Sequence, residues 1–200
     1  MAPVTDPVVD VFIDYQNLHL SAGEAFAPPG TPPHTYLIHP GRFVDVLMKR
    51  RLLYGRGGVV QNIYVYRGQP GSAKEPTPAS RNKAQTAEWS RDRRVKVSTR
   101  TLRYPRNWPT DKAKEKGVDV KLAIDFVRCA LTSAADTLIL VSRDTDLVPA
   151  LEMANDLAKV QIEVAGWSNT SRLRLPAGRQ LWCTTLSGAE YTSCKDPKQY

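Results

Sequence analysis

Residues 137–146 read TLILVSRDTD, and this stretch decides the fold. Its first part, TLILV, is apolar or β-branched throughout, which is typical of a strand that is buried on both faces of a parallel sheet. Two acids, Asp144 and Asp146, follow this strand almost directly. Open α/β sheets carry their functional groups at the carboxyl ends of the strands. The stretch therefore indicates an α/β fold and also predicts that these two acids belong to a functional site.

Apolar runs alternate with helix-period stretches on both sides of this strand. We therefore predict an α/β fold, a Rossmann-like and mostly parallel sheet flanked by helices. The predicted strands are 8–14, 59–66, 95–102, 137–142, 160–165 and one near Leu181. The predicted helices are 43–53, 80–92, 117–131, 147–158 and a short one near Ser171.

The chain length predicts one domain, because 200 residues form a full core but leave little room for a second. We predict that this domain spans residues 1–188, with a proline-rich loop at 23–40 and a polar, frayed tail at 189–200. The sequence has no apolar run long enough for a membrane span and no secretion signal. Its three cysteines lack CxxC spacing, so we expect free thiols and a cytoplasmic protein.

Positive charge is concentrated in one segment of the chain, which we call the basic segment. Residues 81–116 hold twelve basic and four acidic residues and thus account for the whole formal net charge of +8. Clustered cations bind phosphates, and the interleaved Trp89, Tyr104 and Trp108 can stack on unpaired bases. The segment therefore favours an RNA partner over a basic surface that serves only solubility. The predicted substrate-binding cations in it are Arg91, Arg93, Arg94, Arg103 and Lys116.

Acidic residues stand at the functional edge of the predicted sheet in three places. Asp14 ends the first strand, and Asp119 opens the helix that follows the basic segment. Asp144 and Asp146 come after the central strand. Carboxylates without a nearby His or Cys are hard ligands that suit Mg²⁺ or Mn²⁺, and such a site next to cations favours phosphodiester hydrolysis. The structural alternatives are a helix cap for Asp146 and a helix-dipole position for Asp119.

Three motifs, FIDYQN, KGVDVKLAIDF and LILVSRDTDLVPAL, occur in this order along the chain. Together they resemble the NYN domain, a branch of the PIN-like ribonuclease superfamily that includes the bacterial LabA-like proteins. The resemblance spans about residues 8–165 and implies a Mg²⁺- or Mn²⁺-dependent ribonuclease acting on RNA. The metal ligands and catalytic residues that it implies are Asp14, Asp119, Asp144 and Asp146. It also assigns Asn17 and Ser142 to polar positions of the substrate site.

Two positions depart from the family pattern, since Tyr15 and Arg143 stand where relatives often carry glycine. Arg143 can clamp a substrate phosphate, or it can pair with an acid, weaken metal binding and leave an RNA-binding pseudonuclease. A second alternative is a haloacid dehalogenase-like phosphatase, because the DTD at 144–146 resembles the nucleophile motif of that class. That motif normally stands on the first strand, whereas in this chain Asp14 occupies that position. The sequence also leaves a second copy of the chain or a protein regulator open as partners.

Overall fold

The computed structural model describes residues 6–176 and 178–200, so residues 1–5 of the predicted domain lie outside the described residues. Its centre is a six-stranded parallel sheet in the order β3-β2-β1-β4-β5-β6. The strands are β1 Val8–Asp14, β2 Val59–Gln69, β3 Val95–Thr101, β4 Thr137–Val141, β5 Gln161–Trp167 and β6 Trp182–Leu186. The helices are α1 Tyr15–Phe26, α2 Pro40–Leu52, α3 Pro76–Trp89, α4 Val118–Thr132, α5 Val148–Leu157 and α6 Gly188–Cys194. Two short 3-10 turns cover Pro33–Thr35 and Thr145–Leu147.

Two hydrophobic layers cover the faces of the sheet. Val11 and Ile13 of β1 point into the layer that contains Phe43 of α2. Phe12 points the other way, into the layer formed with Phe126 of α4 and further residues of α5. Successive side chains of a strand alternate between faces, so burial of both faces explains why β1 is apolar apart from Asp10 and its final residue, Asp14. The predicted α/β class and parallel sheet are confirmed.

The end of the chain differs from the predicted frayed tail, because residues 188–194 form helix α6. Ser187 and Glu190 close a capping box in which each side chain bonds the other's backbone, which satisfies N–H groups that a helix start leaves free. Tyr191 and Cys194, one turn apart, are buried against the core. These two residues, together with a hydrogen bond from the backbone N–H of His39 to the carbonyl oxygen of Cys194, dock a segment whose composition is otherwise polar.

The proline-rich loop is shorter than the predicted 23–40. Helix α1 continues to Phe26, and α2 begins at Pro40 because the fixed φ of proline suits the first turn of a helix. The predicted short helix near Ser171 is wrong. Residues 171–175 have no regular structure, although Leu173 and Leu175 are buried.

The strand order places a crevice between β1 and β4. The chain builds outward from β1 through β2 to β3, and then returns to the other side of β1 to start β4. In doubly wound sheets such a reversal leaves an opening at the carboxyl ends of the two strands, where ligands bind. Ile13 is in register with Val141, so the residues that follow these two positions face each other across this opening.

Candidate metal centre

Three carboxylates meet at the crevice between β1 and β4. One oxygen from each of Asp14, Asp119 and Asp144 lies within 4.8 Å of the other two. These residues come from the end of β1, the first turn of α4 and the segment after β4. Three hard oxygen ligands at this spacing suit a Mg²⁺ or Mn²⁺ ion. We call Asp14, Asp119 and Asp144 the acid triad.

Asp14 is the most deeply buried member of the triad, with 4% of its surface exposed. One carboxylate oxygen accepts a hydrogen bond from the backbone N–H of Asn17 at 3.1 Å, and the other accepts from the hydroxyl of Ser142 at 3.0 Å. Burial, helped by the charges of Asp119 and Glu115 and opposed by these hydrogen bonds, raises the pKa of Asp14 to about 7. A cation at this carboxylate would relieve both effects.

Ser142 and Asn17 hold the two sides of the crevice together. The Ser142 hydroxyl donates to Asp14 and accepts from the backbone N–H of Asp144 at 3.0 Å. The side-chain oxygen of Asn17 accepts from the backbone N–H of Arg143, also at 3.0 Å. Both residues, which the resemblance assigned to substrate binding, therefore bond to the segments that carry the triad. Such hydrogen bonds hold metal-binding carboxylates in position before a metal ion binds to them.

Asp119 and Asp146 differ in their relation to the site. Burial raises the pKa of Asp119, and the charges of Asp144 and Asp146 raise it further. Asp146 itself is exposed in the turn Thr145–Leu147 and is not one of the acids that come within 4.8 Å of one another. It does not cap α5 either, because Leu147 occupies that position. The structure thus brings three of the four predicted acids together and leaves Asp146 at the margin.

Glu115 is a further acid at this cleft, and the sequence reasoning missed it. One of its carboxylate oxygens accepts from the backbone N–H of Gly68 at 2.6 Å. Burial raises the pKa of Glu115, and the charge of Asp119 adds to this. Glu115 lies within the run KAKEKG, where its cationic neighbours suggest a solvated surface. Its nearness in sequence to Asp119, four residues later, was the one signal that could have identified it.

The basic segment divides between the two ends of the sheet. Arg91, Arg93 and Arg94 precede β3, so they lie at the amino ends of the parallel strands. The acid triad lies at the carboxyl ends. The seven residues of β3 separate these two ends of the sheet by about 20 Å. Arg91 and Arg94 already form ion pairs with neighbouring carboxylates. The structure therefore does not bring these three predicted substrate residues together with the acids.

Other cations of the basic segment lie near the carboxyl end of β3, at the end of the sheet that also carries the triad. Arg103 and Lys114 are joined by two backbone hydrogen bonds of 2.8 and 3.0 Å, and both side chains are exposed. Lys116 is also exposed, close to the start of α4. A Cβ on Gly117, whose φ is +75°, would lie 3.5 Å from the guanidinium carbon of Arg100. These four cations therefore lie at the same end of the sheet as the acids.

The two bulky residues that depart from the family pattern leave the triad accessible. Tyr15 is buried and donates its hydroxyl to the carbonyl oxygen of Ile38 at 3.0 Å. The Arg143 guanidinium pairs with Glu24, which is not a member of the triad. A cleft of about 670 Å³ opens beside these residues. Its lining includes Asp14, Asp119, Asp144, Glu115, Arg67 and Arg143.

Comparison with known proteins identifies a family and a similar solved structure. The family model described as the NYN domain matches residues 8–177. A crystal structure of a protein of unknown function from Vibrio parahaemolyticus is similar, with a TM-score of 0.53 and 16% identity over 86% of this chain and 88% of that chain. At this identity the likeness shows the fold alone. No curated protein matches the sequence significantly. None of the helices in the described part of the chain has the length and apolar character to cross a membrane.

Proposed function

Since the chain belongs to the NYN domain family, a part of the PIN-like nuclease superfamily, we propose that it is a metal-dependent ribonuclease that hydrolyses RNA phosphodiester bonds. The convergence of the acid triad within 4.8 Å is the observation that carries this proposal. The family supports nuclease chemistry, and the cations that border the cleft support a polyanionic substrate. The same reasoning favours RNA as the partner.

Asp14, Asp119 and Asp144 would hold one Mg²⁺ or Mn²⁺ ion. Their donor set fits, because carboxylate oxygens are the preferred ligands of these ions and the raised pKa of Asp14 reflects unrelieved burial and repulsion. The bound ion would polarise a phosphate and lower the pKa of a water molecule. Ser142 and Asn17 would keep the acids in place, so that little reorganisation is needed when the ion or the RNA binds.

A wild-type assay separates this function from its alternatives. We expect purified protein to cleave unstructured RNA with Mg²⁺ or Mn²⁺, to leave it intact in EDTA, and to leave a phosphomonoester unhydrolysed. RNA binding without cleavage under every metal condition would instead identify an RNA-binding pseudonuclease. Hydrolysis of the phosphomonoester alone would identify a phosphatase of the haloacid dehalogenase type.

RNA affinity should depend on the cations at the triad's end of the sheet. We expect Arg103→Ala combined with Lys114→Ala to weaken binding of single-stranded RNA and to reduce its salt dependence. The log-log slope falls by about 0.7 for each phosphate that a cation no longer neutralises, so two substitutions give a reduction of roughly 1.4. The pair is joined through backbone hydrogen bonds, which both substitutions keep. Fluorescence anisotropy at several salt concentrations in EDTA measures both quantities.

The matched control removes the same charge at the opposite edge, with Arg91→Ala combined with Arg93→Ala. Both of these residues are exposed, and they lie before β3. We expect the control to change the slope much less. Equal losses of affinity in the two double variants would contradict a substrate path over the triad and would indicate binding by overall charge.

A further inference from the structure

Arg67 lies in the cleft beside the acid triad but pairs with none of its members. It follows Tyr66, which is in register with Asp14, so β2 delivers it to the same edge of the sheet. Its side chain lines the cleft that Asp14, Asp119 and Asp144 also line. Among the described residues, its guanidinium forms no ion pair within 4.0 Å. It is therefore a cation of the site whose anionic partner is not supplied by those residues.

Two aromatic rings and one amide hold this guanidinium in place. Its central carbon lies 4.8 Å from the ring centre of Tyr15 and 5.0 Å from that of Trp89, and both rings are almost fully buried. The Nη1 atom donates to the side-chain oxygen of Gln85 at 2.8 Å. Stacking of this kind restrains the plane of a guanidinium while leaving its in-plane donors free for other partners.

The remaining donors of Arg67 are not satisfied within the described part of the chain. The Nε atom is buried without a hydrogen-bond partner. The Nη2 atom has no acceptor among the described residues, which leaves it for a ligand in the cleft. Arg67 is largely buried without an ion-pair partner among the described residues, and burial lowers its pKa although the charge of Glu115 opposes this. An anion that enters the cleft would supply the missing charge.

We propose that Arg67 binds a phosphate of the RNA backbone and so positions the substrate against the acid triad. The inference rests on the proposed function for the identity of its ligand, since RNA is the source of the phosphate. The planar fork of arginine suits the oxygens of a phosphate, whereas lysine offers only a point charge. The acids remain free to bind a metal because Arg67 does not pair with them. Its stacked position fixes where the phosphate can lie.

Two substitutions at Arg67 test this role. Arg67→Lys keeps the charge but removes the fork, and Arg67→Met removes the charge but keeps an unbranched stem against the rings. We expect each to weaken binding of single-stranded RNA in EDTA by about tenfold or more, the loss expected for a charge-assisted hydrogen bond. The melting temperature of each variant in EDTA checks that it is folded.

Arg56→Lys is the matched control. Arg56 also stacks on an aromatic ring, with its guanidinium carbon 4.1 Å from the ring centre of Trp182, but it precedes β2 and so lies at the opposite end of the sheet. We expect this variant to bind RNA as the wild type does. Unchanged RNA affinity in both Arg67 variants would overturn the proposal, and so would an equal loss in Arg56→Lys.

Inorganic phosphate distinguishes the two sources of the ligand. If it raises the melting temperature of the wild type but not of Arg67→Met, the residue binds a phosphate group without the rest of the RNA. If RNA binding depends on Arg67 but the response to inorganic phosphate does not, Arg67 recognises a phosphate only as part of the RNA backbone. Both results support the assignment, and independence of both ligands from Arg67 refutes it. These binding measurements are made in EDTA, so they do not depend on RNA cleavage. The ribonuclease proposal fails separately, if the wild type binds RNA without cleaving it in the presence of metal.

Discussion

Asp144→Asn should abolish RNA cleavage while leaving RNA affinity nearly unchanged, and Asp14→Asn should do the same. Asparagine preserves the shape of each side chain but removes one of the three anionic ligands that lie within 4.8 Å. We expect a loss in rate on the order of a hundredfold to a thousandfold or greater, the range found when a group that stabilises transition-state charge is removed. The cations that we propose to bind RNA, such as Arg67, Arg103 and Lys114, lie on other segments and are untouched. Gel assays with labelled RNA and anisotropy in EDTA measure the two properties.

Asp146→Asn is the control for this experiment. Asp146 stands two residues from Asp144, yet it is exposed and is not one of the acids within 4.8 Å of one another. Its substitution should reduce cleavage only modestly, through the charge that it places near Asp119. Undiminished cleavage by both Asp14→Asn and Asp144→Asn would refute the assignment of the triad. A loss in Asp146→Asn as large as in Asp144→Asn would make Asp146 a ligand.

In metal-free protein near pH 8, Asp14→Asn should increase the free energy of unfolding. Burial raises the pKa of Asp14 from its ordinary value of 3.8 to about 7 in the folded state. The stability contribution of this acid is therefore present below about pH 4 and is lost as the pH rises toward 7. A shift of this size corresponds to about 4 kcal/mol as an upper bound. Asparagine cannot ionise, and it caps the start of α1 about as well as aspartate.

Urea denaturation in EDTA at about pH 4.5 and pH 8 measures this effect. The curves of the wild type and Asp14→Asn should lie close together at the lower pH and separate at the higher one. Adding Mg²⁺ or Mn²⁺ should stabilise the wild type, by about 2.7 kcal/mol at a hundredfold excess over the dissociation constant, and should have little effect on the variant. An Asp14→Asn protein that is less stable than the wild type at both pH values would mean that this acid is structural.

The sequence predicted the strands of the sheet's centre well, because burial on both faces leaves a clear local pattern. β1 was predicted with the bounds that the structure shows, and β4 within one residue. Both are buried on each face, so most of their residues are apolar; the exceptions are Asp10 and Asp14 in β1 and Thr137 in β4. The meeting of Asp14 with Asp144 then follows from topology, since the carboxyl ends of parallel neighbours share an edge.

The roles of the charged residues were harder to predict, because they depend on contacts between distant segments. A run of cations along the sequence does not reveal that β3 carries its two halves to opposite edges of the sheet. Arg94 pairs with Asp45, which is 49 residues away. Arg67 belongs to none of the three sequence motifs, and its position in the cleft depends on the aromatic rings of Tyr15 and Trp89. Such side chains can be assigned only once the packing is known.

Calorimetric titration of Mn²⁺ into metal-free protein tests most directly the claim that Asp14, Asp119 and Asp144 together hold a divalent cation. We expect saturable binding by the wild type and by Asp146→Asn, and its loss in Asp144→Asn. Absence of binding by the wild type would contradict the account. Binding of equal affinity by the wild type and by Asp144→Asn would contradict it as well.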